Sequence, residues 1–245
     1  MRAPWLAIDT ATAIASVAVG GPTPAAGAHV VGARRHAAEI LRLVDFSLDR
    51  LGLKVRDLEG IVVGDGPGSF TGLRIGWAAA KGLAQEAGLE VRTIPSLLAT
   101  AAGAAQGLGA EPVAAWFDAL RGQVYGAVYT VHPDRVETLV APALFTPAAL
   151  AAERAPAARP RLVAGDGAVR YAALAEAWSG AAPVPPEALP PGATMLLALL
   201  GAEGAGRVIE ELSSAEPIYG RPAEAQAQWE ARHGRPLPDS SRPTR

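Results

Sequence analysis

The sequence predicts an α/β protein built as two successive halves. Three observations predict it. Strand-like apolar runs alternate with helical patterns along the 245 residues. The alternation pauses at "AQGLGAEP", near Gly107, and then restarts. In each half an early strand-like run ends on an aspartate, Asp9 in one and Asp118 in the other. Repeated strand–helix alternation marks layered α/β architecture, and a hydrophobic content of 50% supplies a sizeable core.

Each element has a local reason. "WLAID" is a short apolar run, "AIASVAVG" is rich in small and β-branched residues, and Gly20-Gly21-Pro22 breaks the chain, so the two form a hairpin. "AHVVGARR" follows as a third strand. Ile40, Leu41, Val44, Leu48 and Leu51 recur at helical spacing and stop at Gly52. "GIVVG" is a buried strand, a helix runs from about Ser69 to Glu86, and "LEVRTIP" is the next strand. Ser96 then opens "SLLATAAGAA" as a helix.

In the second half, "VAAWFDALRGQVYGAVYTV" reads as two strands joined at Leu120-Arg121-Gly122. "LFTPAALAAERA" is a helix with Pro147 near its start, and "RLVAGDGA" is a strand and a turn. A proline-rich run, Pro183 to Pro191, precedes a helix around Thr194 to Gly201. The stretch from Pro222 onward, rich in Pro, Arg and Ser, is expected to be a frayed tail. The boundaries expected are 1–106 for the first lobe, 107–193 for the second, a segment of about 194–221 packing back on the first, and 222–245 for the tail.

Composition excludes several classes. Twenty-two basic residues face 24 acidic ones, a net charge of -2, so no strong overall field calls for nucleic acid. The absence of cysteine rules out disulfides, thiolate zinc sites and a cysteine nucleophile. Asp9 interrupts the only early apolar run, so no signal peptide is expected, and no apolar window reaches the length of a membrane span. A cytoplasmic protein is expected.

The stretch "VVGDGPGSFTGLRIGWAAAKGLA", Val62 to Ala84, carries the strongest motif. Its glycines sit between a strand and a helix, where a phosphate loop would lie. No Gly-Lys-Ser/Thr follows, the third glycine falls one residue too far for a dinucleotide fingerprint, and Ser69 lacks the flanking glycines of a nucleophile elbow. Positions 68, 72, 76, 80 and 84 are Gly, Gly, Gly, Ala and Ala, one ridge of a helix. Each interior glycine costs about 0.5–1 kcal/mol against alanine, so close backbone approach must offset it. The approaching element is either the chain's own sheet or a helix of another subunit, and spacing does not choose between them. The second alternative implies that Gly72→Leu or Gly76→Leu leaves the monomer folded and blocks association.

Elsewhere the chemistry is sparse. Asp9-Thr10 can hold a metal or a phosphate, although a turn aspartate is the plainer reading. Asp118 matches Asp9 across the two halves, which suggests related halves around a cleft. Arg121, Tyr125 and Tyr129 can bind a ligand there, and strand alternation explains the tyrosines equally well. His29, His36, His132 and His233 give no pair at i, i+4 for a metal.

Taken together, "LAIDTATAIASVAV", "HAAEILRLV", "VVGDGPGSFTGLRIGWAAAKGLA", "AAWFDALRGQVYGAVY" and "AEPIYGR" resemble the bacterial TsaB family, also called YeaZ, in order and approximate spacing. The resemblance spans roughly Trp5 to Arg221, and "GPGSFTGLRIG" is its specific part. It implies the two-lobed fold of the sugar kinase/Hsp70/actin superfamily, each lobe a mixed sheet with flanking helices. It further implies a non-catalytic subunit that binds TsaD, its catalytic paralogue, together with the ATPase TsaE. That assembly transfers threonylcarbamoyl from threonylcarbamoyl-AMP to N6 of adenosine 37 in ANN-decoding tRNAs.

On this resemblance the partner or dimer interface includes Gly68, Ser69, Phe70, Thr71, Gly72 and Arg74, continues through Ile75, Gly76 and Ala80, and takes in His36, Ile40, Leu41 and Val44. Asp9, Thr10, Asp118 and Arg121 become a vestigial cleft. Bulky Leu120 and Arg121 stand where active kinases of the superfamily place a glycine-rich phosphate turn, which argues against ATP in the cleft. No cofactor is expected for the isolated chain, a nucleotide at a surface shared between subunits stays open, a homodimer is expected when the chain is alone, and tRNA contact is indirect or weak. The alternatives are an active ATPase or kinase of the same superfamily, or a metallopeptidase-like paralogue. Three residues depart from the family pattern: Asp65, where other members can carry a basic residue; Arg42, where a helix proline often occurs; and Gly220, in place of a leucine.

Overall fold

The computed structural model describes residues 3–32, 35–109, 111–152 and 159–221. The expected tail lies outside them, with Arg232, Arg235, Arg242 and Arg245. Strands β1 (Trp5–Asp9), β2 (Ile14–Gly20) and β3 (Pro24–Val31) form an antiparallel meander, followed by helix α1 (His36–Asp49). Next come β4 (Gly60–Gly64), helix α2 (Phe70–Ala87), β5 (Glu90–Ile94) and helix α3 (Ser96–Ala104). The second half contains β6 (Pro112–Asp118), β7 (Val124–Val131), β8 (Val136–Phe145), α4 (Pro147–Ala152), β9 (Leu162–Ala164), α5 (Asp166–Arg170) and α6 (Ala172–Ser179). Helix α7 (Gly192–Leu199) and β10 (Arg207–Val208) complete the order.

Two mixed sheets result. One has the order β10-β5-β4-β1-β2-β3 and the other β8-β7-β6-β9. In the first, β1 lies antiparallel to β2, with Ile8 opposite Val17, and parallel to β4, with Ile8 opposite Val63. Period-2 alternation divides each strand between two cores. Leu6, Ile8, Val17, Ile61 and Val63 point to α1 and α2, while Ala7, Ala18 and Val62 point the other way to α3 and α7. The second sheet repeats the rule: Val113, Ala115 and Phe117 join the central core, whereas Ala114 and Trp116 face Leu150, Ala175 and Trp178. The layers therefore run α1–α2, sheet, α3–α7, sheet, α4–α6.

The chain returns to the first lobe after the second. α7 packs on β1, β2, β4 and α3, and β10 pairs antiparallel with β5. None of the described helices is long and apolar enough to cross a membrane.

Candidate functional site

Helix α2 is set by its ends. Ser69 Oγ accepts the Gly72 amide at 3.2 Å, and Gly88 closes the helix in a left-handed conformation at φ 67°. Its small-residue ridge faces inward. A Cβ on Gly68 would run into the Ala11 carbonyl, one on Gly72 into the Thr10 carbonyl, and one on Gly76 into the Thr10 hydroxyl. The Thr10 hydroxyl donates to the Gly72 carbonyl at 2.7 Å, and the Ser69 amide donates to the Ala11 carbonyl at 2.7 Å. The element that comes close is therefore the chain's own β1–β2 turn.

This corrects the sequence-based interface. Gly72, Gly76 and Ala80 are buried beneath Thr10 and the sheet, and His36, Ile40 and Val44 are buried on the inner face of α1, so none of them offers a surface to a partner. The His36 ring sits 3.3 Å from the Ala13 carbonyl. Gly72→Leu or Gly76→Leu would force Thr10 aside and damage the monomer itself, contrary to the expectation of a folded variant.

The outward side is different. Leu41 is 53% exposed and Phe46 54%, flanking the outer face of α1. Phe70, Thr71 and Arg74 are exposed on α2, while Gly68, Ser69 and Ile75 are half-buried. The Arg74 guanidinium lies 4.8 Å over the Phe70 ring, and Phe70 meets Tyr219 with ring centroids 4.6 Å apart. Phe46 escaped the sequence reading because it lies off the stripe of Ile40, Val44 and Leu48.

Between the lobes lies a cleft of about 640 Å³, bounded by Thr12, Ser69, Phe70, Asp118, Arg121 and Tyr219 among others. A smaller cavity of about 220 Å³ adjoins it and shares Asp166. Asp9 borders the smaller cavity but is only 6% exposed. Its Oδ1 accepts the Ser96 hydroxyl at 2.9 Å and the Ala11 amide at 3.3 Å. A Cβ on Gly64 or Gly192 would collide with its carboxylate, so the end of β4 and the start of α7 both close on Asp9. Burial pushes the Asp9 carboxyl up, against the lowering effect of the Ser96 hydroxyl and the nearby amides.

Asp118 is likewise occupied. One oxygen accepts the Leu120 amide at 3.1 Å and the other takes Arg170 Nη1 at 2.8 Å. Asp166 caps the same corner, accepting the amides of Asp118 at 3.1 Å and Gly167 at 2.9 Å, and burial pushes its carboxyl up. The β6–β7 turn holds Leu120 at φ 61° and Arg121 at φ 52°, a left-handed pair without glycine that costs about 1–2 kcal/mol per residue. Leu120 projects outward, 62% exposed. The carboxylates of the two halves thus serve the frame of the cleft. Arg170 and Ser96, the residues that occupy them, carry no motif linking them to Asp118 or Asp9.

Comparison with known proteins agrees with this architecture. The family model described as TsaD, tRNA N6-adenosine threonylcarbamoyltransferase, matches residues 20–176. The Escherichia coli tRNA threonylcarbamoyladenosine biosynthesis protein TsaB is 40% identical over 124 residues, 51% of this chain and 54% of that protein. The chain spans about half the length of the curated relatives it matches. Among solved structures, YeaZ from Pseudomonas aeruginosa superposes with a TM-score of 0.72 at 31% identity, over 89% of this chain and 100% of that one. A second, described as an uncharacterized protein similar to peptidase YEAZ from Pseudomonas aeruginosa, gives 0.72 at 30% identity over 90% of this chain and 100% of that one. With two mixed sheets, the "GPGSFTGLRIG" turn at the head of α2 and full-length superposition on YeaZ, the chain belongs to the TsaB/YeaZ family.

Proposed function

We propose that the chain is a non-catalytic scaffold in the synthesis of threonylcarbamoyladenosine in tRNA. It binds a TsaD-like catalytic subunit, alongside a TsaE-like ATPase, through the outward face of α1 and α2. Alone, it pairs with a second copy through the same face. A nucleotide, where one is bound, sits at the surface shared with the partner, and tRNA contact is indirect.

The observation that carries this reading is the outer face of the helix pair. Leu41 and Phe46 on α1 are each more than half exposed and Phe70 on α2 is 37% exposed, while the inner faces of the same helices fill the core. Exposed large apolar side chains on adjacent helices fit a protein partner. The cleft supports the non-catalytic part: Asp9 and Asp118 are held by Ser96 and Arg170, and the Leu120-Arg121 turn puts side chains where amides would wrap a phosphate. Calorimetric titration against the TsaD-like subunit tests the scaffold role. Saturable binding by the wild type, weakened at least about tenfold by the pair Leu41→Asp and Phe46→Asp at unchanged thermal stability, is the expected result. Equal binding by the double variant removes this face from the account.

A further inference from the structure

Beyond α7 the chain crosses back over the first lobe, and both ends of that crossing meet one residue. Asp65 follows β4, and its carbonyl accepts the Ile218 amide at 2.7 Å. Its Oδ2 lies 3.9 Å from Arg207 Nη2 on β10. Its own amide donates to the Ile94 carbonyl at 3.2 Å. Asp65 is only 3% exposed, and its Oδ1 meets no donor among the described residues. The Tyr129 phenol on β7 also lacks a hydrogen-bond partner among the described residues. The Thr93 hydroxyl on β5, which meets no partner at strict hydrogen-bond geometry, lies close enough to the Asp65 carboxyl to pull it down.

We infer that Asp65 is a proton-linked anchor for the strap of residues 207–221: protonated it holds the strap closed, and ionised it loosens it. A buried carboxylate with one bare oxygen is costly, whereas a neutral carboxyl is not. The carboxyl also brings an O–H that can donate to the Thr93 hydroxyl. The charge has weak compensation: the Arg207 side chain is 58% exposed, and the contact is long. Parting the strap gives the ion a route to water: most strap residues are exposed, Pro217 is the buried one, and Ile209, Leu212 and Ala215 rest only partly buried on the α1–α2 core. The strap carries Tyr219 and Arg221, which form part of the cleft wall, so this anchor adds to the Arg221–Gln123 hydrogen bond of 2.7 Å and the Phe70–Tyr219 ring contact in setting how readily that wall moves.

The charged and titratable groups around Asp65 come from several elements. Burial dominates and pushes the carboxyl up to about 6; Thr93 on β5 and Arg207 on β10 pull it down, and Asp9 on β1 pushes it up. The Asp65 charge in turn adds to the burial that raises the Tyr129 phenol on β7. With the closed-state value above the ordinary 3.8, closure is fully favoured below about 4 and weakens as pH rises to about 6, then levels off.

Hydrogen exchange of the Ile218 amide, corrected for intrinsic exchange, tests this. Between pH 4.5 and 7.5 its protection factor is expected to fall about thirtyfold, flattening above about pH 6.5. Asp65→Asn, which keeps the shape and removes the charge, is expected to hold at pH 7.5 the protection the wild type shows at pH 4.5. A flat wild-type profile overturns the inference, and so does a folded Asp65→Asn variant with the wild-type slope. Should that variant fail to fold, the wild-type profile alone decides.

Discussion

A methyl group added to α2 has opposite effects two turns apart. On Gly72 or Gly76 it meets Thr10, whereas on Gly82 it meets nothing within 4 Å. Gly72→Ala and Gly76→Ala should each destabilise by about 1–3 kcal/mol in urea denaturation. Gly82→Ala should stabilise by about 0.5–1 kcal/mol, since an exposed helical glycine loses only entropy. Three glycines of one helix are thus separated by their neighbours. The spacing of the ridge was legible in the sequence, and so was the need for a close neighbour. That the neighbour is Thr10–Ala11 was not, because residues about 60 positions apart meet only through the β1–β4 pairing. The β6–β7 turn offers a second test at this scale. Leu120→Gly removes a left-handed Cβ and should add about 1 kcal/mol to stability in the same denaturation.

Elements with strong local signals were readable. Ser69 and Gly88 bracket α2, and β6 and β7 meet around the expected Leu120-Arg121-Gly122 bend. Elements whose existence depends on a partner were not. β8, "VETLVAPALF", carries Pro142 and shows no clean alternation, and it is a strand because β7 pairs with it. β10 is two residues long and exists only as an edge on β5. The carboxylates ending β1 and β6 were visible as a pair, but their occupants on α3 and α5 were not. Arg170 is 54% exposed in its side chain, so Arg170→Ala should cost under about 1 kcal/mol in thermal unfolding while freeing Asp118 toward the cleft.

At the scale of the molecule, two buried aspartates, Asp9 and Asp65, and the more exposed but partly desolvated Asp166 bear on pH dependence. Burial raises Asp9, Asp65 and Asp166 alike, so the folded state binds these protons more tightly than the unfolded chain. Their stabilising contribution is complete below the ordinary value of 3.8 and is lost as pH rises, through about 6 for Asp65. Calorimetry should therefore give a higher melting temperature for the wild type at pH 5 than at pH 7.5. The same burial fits lobes that use their acids as internal struts while the α1–α2 face stays open. The most direct measurement is sedimentation of the chain with the TsaD-like subunit proposed as its partner. The account expects a complex with the wild type that dissociates for Leu41→Asp with Phe46→Asp; a complex equally stable for both, with the variant folded, would contradict it.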